Sequence, residues 1–120
     1  MRVLLCGNDV LLRNVRLALA DAGIDVTVVR GDLEDADHVV AFSLALVDVT
    51  VPQAERVCQY IQRKSEIPVV ALLGAGEDGW GRVEALKVDG YLHRTATRNE
   101  IIARLKAIER RGRVHSSPVK

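Results

Sequence analysis

The chain has 120 residues, 48% hydrophobic and 28% charged, with a formal net charge of +1. That length fits one domain, and the balance is that of a globular chain, not a disordered one. No apolar run nears the roughly 18 residues of a membrane helix. The opening "MRVLLCGND" has one Arg and an apolar run too short for a signal peptide.

Strands and helices alternate along the chain. "RVLLC" (2–6) is a short apolar run stopped by Gly7-Asn8, which predicts a buried strand. "LLRNVRLALADAG" (11–23) places Leu12, Val15, Leu19 and Ala22 at helical spacing, with Gly23 as a C-terminal cap. "DVTVV" (25–29) is β-branched and predicts a strand. "DLEDADHVVAFS" (32–43) is a faint helical pattern, and "LALVDV" (44–49) a buried strand. "QAERVCQYIQRK" (53–64) predicts a helix with Val57, Tyr60 and Ile61 on one face and Pro52 before it. "IPVVALL" (67–73) is a further buried strand, "GWGRVEALKV" (79–88) a short helix and "GYLHR" (90–94) a fifth strand. "RNEIIARLKAIERR" (98–111) is an amphipathic helix. "GRVHSSPVK" (112–120) has no periodicity and reads as a linker or tail after a domain of residues 1–111.

Five strands, each followed by a helix, form a (βα)5 pattern. Continuous apolar strands joined by helices imply a doubly wound parallel five-stranded sheet. In such sheets the site lies beyond the carboxyl ends of the strands. That rule selects Gly7, Asn8 and Asp9, then Arg30-Gly31, Asp48, Leu73-Gly74 and Arg94. Asp48 is therefore expected at the edge of a site.

Other signals are weaker. Cys6 and Cys58 lie in apolar patterns without metal spacing, which fits reduced thiols in a cytoplasmic chain. Residues 94–120 carry eight Lys/Arg and two acids, a net +6, so the remainder carries −5. A basic end can touch nucleic acid, but a solvated helix and linker is the preferred reading. "GAGEDG" (74–79) matches the GxGxxG dinucleotide pattern. It follows the wrong strand, however, and the next strand ends in a cation, with Asp89 too early for a ribose partner. His38, His93 and His115 have no metal spacing, and no nucleophile–His arrangement is apparent.

From residue 2 to 111 the chain resembles the receiver domain of bacterial two-component response regulators. "LVDVTVP" is similar to the phospho-acceptor segment, with Asp48 followed four residues later by Pro52. "IPVVALL" is similar to the fourth strand, "DGYLHR" to the fifth, with Tyr91 three residues before a cation, and "NEIIARLKAIERR" to the last helix. The resemblance implies a flavodoxin-like fold, cytoplasmic signal transduction without enzymatic activity, and a phosphoryl group accepted on Asp48 from a histidine kinase.

The chain departs from that pattern where the chemistry sits. The family's acidic, Mg²⁺-binding pair falls on Gly7 and Asn8; a one-residue shift rescues at most Asp9. The Ser/Thr position after strand four is Leu73, and the Lys position is Arg94. Candidate metal ligands thus reduce to Asp9 and Asp48, and no cofactor is expected. The leading expectation is a pseudo-receiver that works without phosphorylation, by docking a partner or forming a homodimer, with DNA contacted only through a following output domain. Asp48 would then be a structural anchor, paired with Arg94, Asn8 or both. The runner-up is a working phospho-receiver using Asp9 and Asp48; the third reading is a nucleotide- or ligand-binding domain using "GAGEDG". Family habit places an interface at Trp80, Tyr91, Ile101, Arg104 and Leu105.

Overall fold

The structure, a computed structural model, describes residues 1–7, 12–29, 41–51, 53–74, 86–93 and 95–112. Five strands lie in one sheet: β1 (Arg2–Cys6), β2 (Asp25–Val29), β3 (Leu44–Asp48), β4 (Val69–Leu73) and β5 (Gly90–His93). Three described helices accompany them: α1 (Arg13–Asp21), α2 (Ala54–Lys64) and α3 (Arg98–Arg111). The strand order is β2-β1-β3-β4-β5 and every pairing is parallel. This is the flavodoxin-like, doubly wound arrangement that the alternating pattern predicts.

Strand parity divides the core. Leu4, Cys6, Ala45, Val47, Val69, Ala71 and Leu73 face one side, where α2 contributes Ala54, Val57, Cys58 and Ile61. Val3, Leu5, Leu44, Leu46, Val70, Leu72 and Leu92 face the other, where α1 contributes Val15 and Leu19 and α3 contributes Ile101, Leu105 and Ile108. A sheet covered on both faces needs continuous apolar strands, which is why β1, β3 and β4 show no alternation in sequence.

Local chemistry sets the ends. Gly23 adopts φ +76° after α1. Its N–H bonds the Ala20 carbonyl, and the Ile24 N–H bonds the Leu19 carbonyl, a paired closure that a left-handed residue permits. Thr97 and Glu100 form a reciprocal capping box at the start of α3. The strand predicted from residue 67 begins at Val69, because Pro68 has no N–H to give to a ladder. The Val69 N–H instead reaches the buried Asp89 carboxylate at 2.8 Å. The predicted helices over 32–43 and 79–88 fall mostly outside the described residues, as does the tail beyond Gly112. No helix among the described residues is long and apolar enough to cross a membrane.

Candidate functional site at the carboxyl edge of the sheet

The strand order reverses direction between β1 and β3, so the crevice that such folds use opens where these two strands end. Cys6 is in register with Val47, so Gly7 and Asp48 follow side by side. Asp48 is fully buried. Its Oδ1 accepts from the Thr50 backbone N–H at 2.9 Å and from the Thr50 hydroxyl at 2.6 Å. Two donors from one residue two positions on fold the chain back over the carboxylate. The other oxygen, Oδ2, is buried with no hydrogen-bond partner among the described residues. A buried polar atom in that state is costly.

Gly7 packs against Asp48 from the neighbouring strand. A Cβ on Gly7 would lie 2.8 Å from Asp48 Cβ and 3.6 Å from Asp48 Oδ2. The Asp48 side chain therefore occupies the space where a side chain at position 7 would stand. Leu73, at the end of β4, is fully buried and belongs to the core beside α2. It supplies no hydroxyl to the site. Mg²⁺ requires several hard oxygen ligands in octahedral geometry. Among the described residues Asp48 alone offers a carboxylate here, and no cluster of three His, Cys, Asp or Glu that could hold a metal exists. The described part of the site thus does not fit a bound Mg²⁺.

Asn8, Asp9, Arg94 and Trp80 lie outside the described residues, so the structure does not decide the pairing of Asp48 with Arg94 or Asn8. Most of "GAGEDG" lies outside them too. Tyr91 is half-buried on β5, edge-on to His93 with ring centroids 6.4 Å apart. The Arg104 guanidinium stands 5.6 Å from the Tyr91 ring centroid.

Two of the expected interface residues are corrected. Ile101 and Leu105 are fully buried against the sheet. They face inward because they sit on the stripe of α3 that closes the core, which leaves them no area for a second chain. The cysteines form no disulfide among the described residues and are buried in the core beside α2. Burial, with a smaller effect from the Cys58 charge, pushes the Cys6 thiol up to about 12. Sequence reading missed Thr50 as the partner of Asp48. The signal was present, since a Thr two residues after an Asp has both donors in local reach.

No family model matches the sequence, and no curated protein matches it. Solved structures do match. The N-terminal domain of a response regulator/sensory box/GGDEF three-domain protein from Carboxydothermus hydrogenoformans aligns with a TM-score of 0.74 at 21% identity, covering 92% of this chain and 94% of that one. A response regulator receiver domain protein from Clostridium thermocellum gives 0.72 at 20% identity, covering 92% and 95%. A CheY-like receiver domain protein from Methanospirillum hungatei gives 0.71 at 15% identity, covering 92% and 94%. At such identities the likeness is one of fold, and the fold of this chain is that of the receiver domains.

Proposed function

We propose that the chain is a regulatory signalling domain of the receiver type that acts by protein–protein contact, with another signalling protein or a second copy, and without phosphorylation. The observation that carries this reading is the state of Asp48. The carboxylate in the phospho-acceptor position is fully buried, tied through Oδ1 to Thr50 and packed against Gly7. Phosphoryl transfer depends on an accessible nucleophile and on cations that neutralise the transferring group. Position 7 brings no carboxylate, and Leu73 brings no hydroxyl.

One observation favours the alternative of a working phospho-receiver. Asp48 Oδ2 has no hydrogen-bond partner among the described residues, so one oxygen is uncommitted. Its burial stands against that use in this conformation. The test is an amide-resolved titration with Mg²⁺ and beryllofluoride, a mimic of the phosphoryl group. The expected result is a spectrum unchanged around Asp48, Thr50 and Leu73. Saturable shifts clustered on those residues would establish the phospho-receiver instead.

A further inference from the structure

The open groove between β5 and α3 has a volume of about 410 Å³. Small-ligand sites run from roughly 300 to 1,000 Å³. Glycine at position 90 lets α3 come this close, because a Cβ there would meet Ile108 Cδ1 at 2.6 Å and Arg111 Nη2 at 3.9 Å. Val88, Tyr91, Ala107 and Ile108 line the groove with carbon, and Arg104 and Arg111 give it charge. These arginines are seven residues apart, two helical turns, so they share the face of α3 that borders the groove. Both are held. Arg104 lies 5.6 Å from the Tyr91 ring centroid, and Arg111 Nη2 donates to the Asp89 carbonyl. Neither has an ion-pair partner among the described residues. The one acid in the lining, Asp89, is buried, and its carboxylate accepts from the Val69 N–H inside the fold. The groove therefore presents two permanent cations, an aromatic ring and no accessible carboxylate.

We propose that this groove is a small-molecule site, and that its ligand is a phosphomonoester with an aromatic body, the size of a mononucleotide. A phosphomonoester carries close to two negative charges at neutral pH, the complement of two guanidinium groups. Guanidinium donors form a fork that matches phosphate oxygens, and side chains already held in place lose little freedom on binding. The carbon lining selects the rest of the molecule. Tyr91 and Ile108 offer an apolar surface to a ring, which a bare inorganic anion would leave uncovered. An uncharged nucleoside would cover that surface and leave both cations unanswered. The assignment does not depend on how Asp48 is used. It also places the ligand away from "GAGEDG", the only segment whose sequence pattern suggests a nucleotide.

The test is an amide-resolved titration of the full chain with phenyl phosphate and the 5′-monophosphates of adenosine, guanosine, cytidine and uridine. Adenosine alone and inorganic phosphate alone are the controls. At least one phosphomonoester should bind saturably, more weakly as salt is added, with shifts confined to residues 88–91 and 104–111. Each control should bind roughly tenfold more weakly or worse, because it lacks one half of the recognition. Arg104→Glu should weaken binding by roughly tenfold or more, and Arg104→Lys, which keeps the charge and loses the fork, should fall between. Ala107→Glu sets a carboxylate in the groove without touching either arginine and should also abolish binding. Arg104 and Ala107 are exposed, so these variants should melt with the wild type. No saturable binding across the panel overturns the proposal, as does binding untouched by Arg104→Glu and Ala107→Glu. Shifts centred on residues 74–79 would move the nucleotide to "GAGEDG" and overturn it too. Inorganic phosphate binding as tightly as the best ester would reduce the groove to a general anion site, against the proposal. Beryllofluoride shifts at Asp48 would sink the phosphorylation-independent reading alone and leave the groove titration to stand or fall by itself.

Discussion

Gly7 packs against the side chain of Asp48: a Cβ on Gly7 would stand 2.8 Å from the Cβ of Asp48. Gly7 also has φ +149°, at the edge of the region that side chains rarely adopt. The atom it would strike is next to the backbone of a central strand, so little can move. Gly7→Ala should therefore cost about 2 kcal/mol, read as a lower midpoint in urea unfolding. A wild-type midpoint would show that β1 and β3 can separate without penalty.

Gly90 offers a contrast. A Cβ there would meet Ile108 Cδ1 at 2.6 Å, closer than the contact at Gly7. The struck atom is the far end of a side chain that can change rotamer. Gly90→Ala should thus destabilise less than Gly7→Ala, by about 1 kcal/mol. The two variants melted side by side test this ranking, and the reverse order would refute it.

Thr50 holds one oxygen of a fully buried carboxylate with two donors. Thr50→Val removes the hydroxyl donor and keeps the shape and the backbone donor. Loss of one hydrogen bond to a charged acceptor should cost about 2 kcal/mol. Thr50→Ser retains the hydroxyl and should recover most of that in denaturant unfolding. If Val and Ser behave alike, the side-chain bond contributes nothing measurable.

Arg94 is the cation that the sequence reading assigns to Asp48. On that reading Arg94→Ala strands a buried charge and should cost about 3 kcal/mol. Asp48→Asn should cost less, because an amide oxygen still accepts from Thr50. An Arg94→Ala protein with unshifted melting would leave Thr50 as the described support of the carboxylate.

The Cys6 thiol gives a pH-dependent expectation. Burial raises it from 9.0 to about 12 in the folded chain. Above 9 the unfolded chain releases this proton while the folded chain keeps it, so unfolding is favoured as pH rises. The contribution is fully present below pH 9 and is lost toward pH 12, with a slope of at most about 1.4 kcal/mol per pH unit. Comparing wild type with Cys6→Ala over that window isolates the thiol from other titrating groups. A stability difference flat with pH would contradict the shift. The same burial predicts that Cys6 resists a thiol reagent at neutral pH until the chain is unfolded.

The sequence was most legible where one physical rule acted alone. Short runs such as "VVALL", β-branched and without alternation, fit a strand buried on both faces, and β4 is that strand. The helix over 98–111 was legible because its apolar spacing and its boundaries agree, and α3 spans those residues. The capping box of Thr97 and Glu100 was equally readable, four residues of local pattern that went unread. Ile101 and Leu105 show the opposite case. Spacing reveals that a helix has an apolar stripe, but not whether its own sheet or another chain covers that stripe.

At Asp48 the division is clear. Sequence order alone put a carboxylate at the end of a central parallel strand, and strand alternation with helices fixed which edge of the sheet it occupies. Those results follow from periodicity and connectivity, which are local properties of the chain. Only the tertiary structure decided that Asp48 packs against Gly7, forty-one residues away in sequence, and that Leu73 turns into the core instead of the crevice. It also decided that Arg104 and Arg111 share a groove with Tyr91. These are relations between elements distant in sequence, set by the register and packing of the sheet, and no local pattern encodes them.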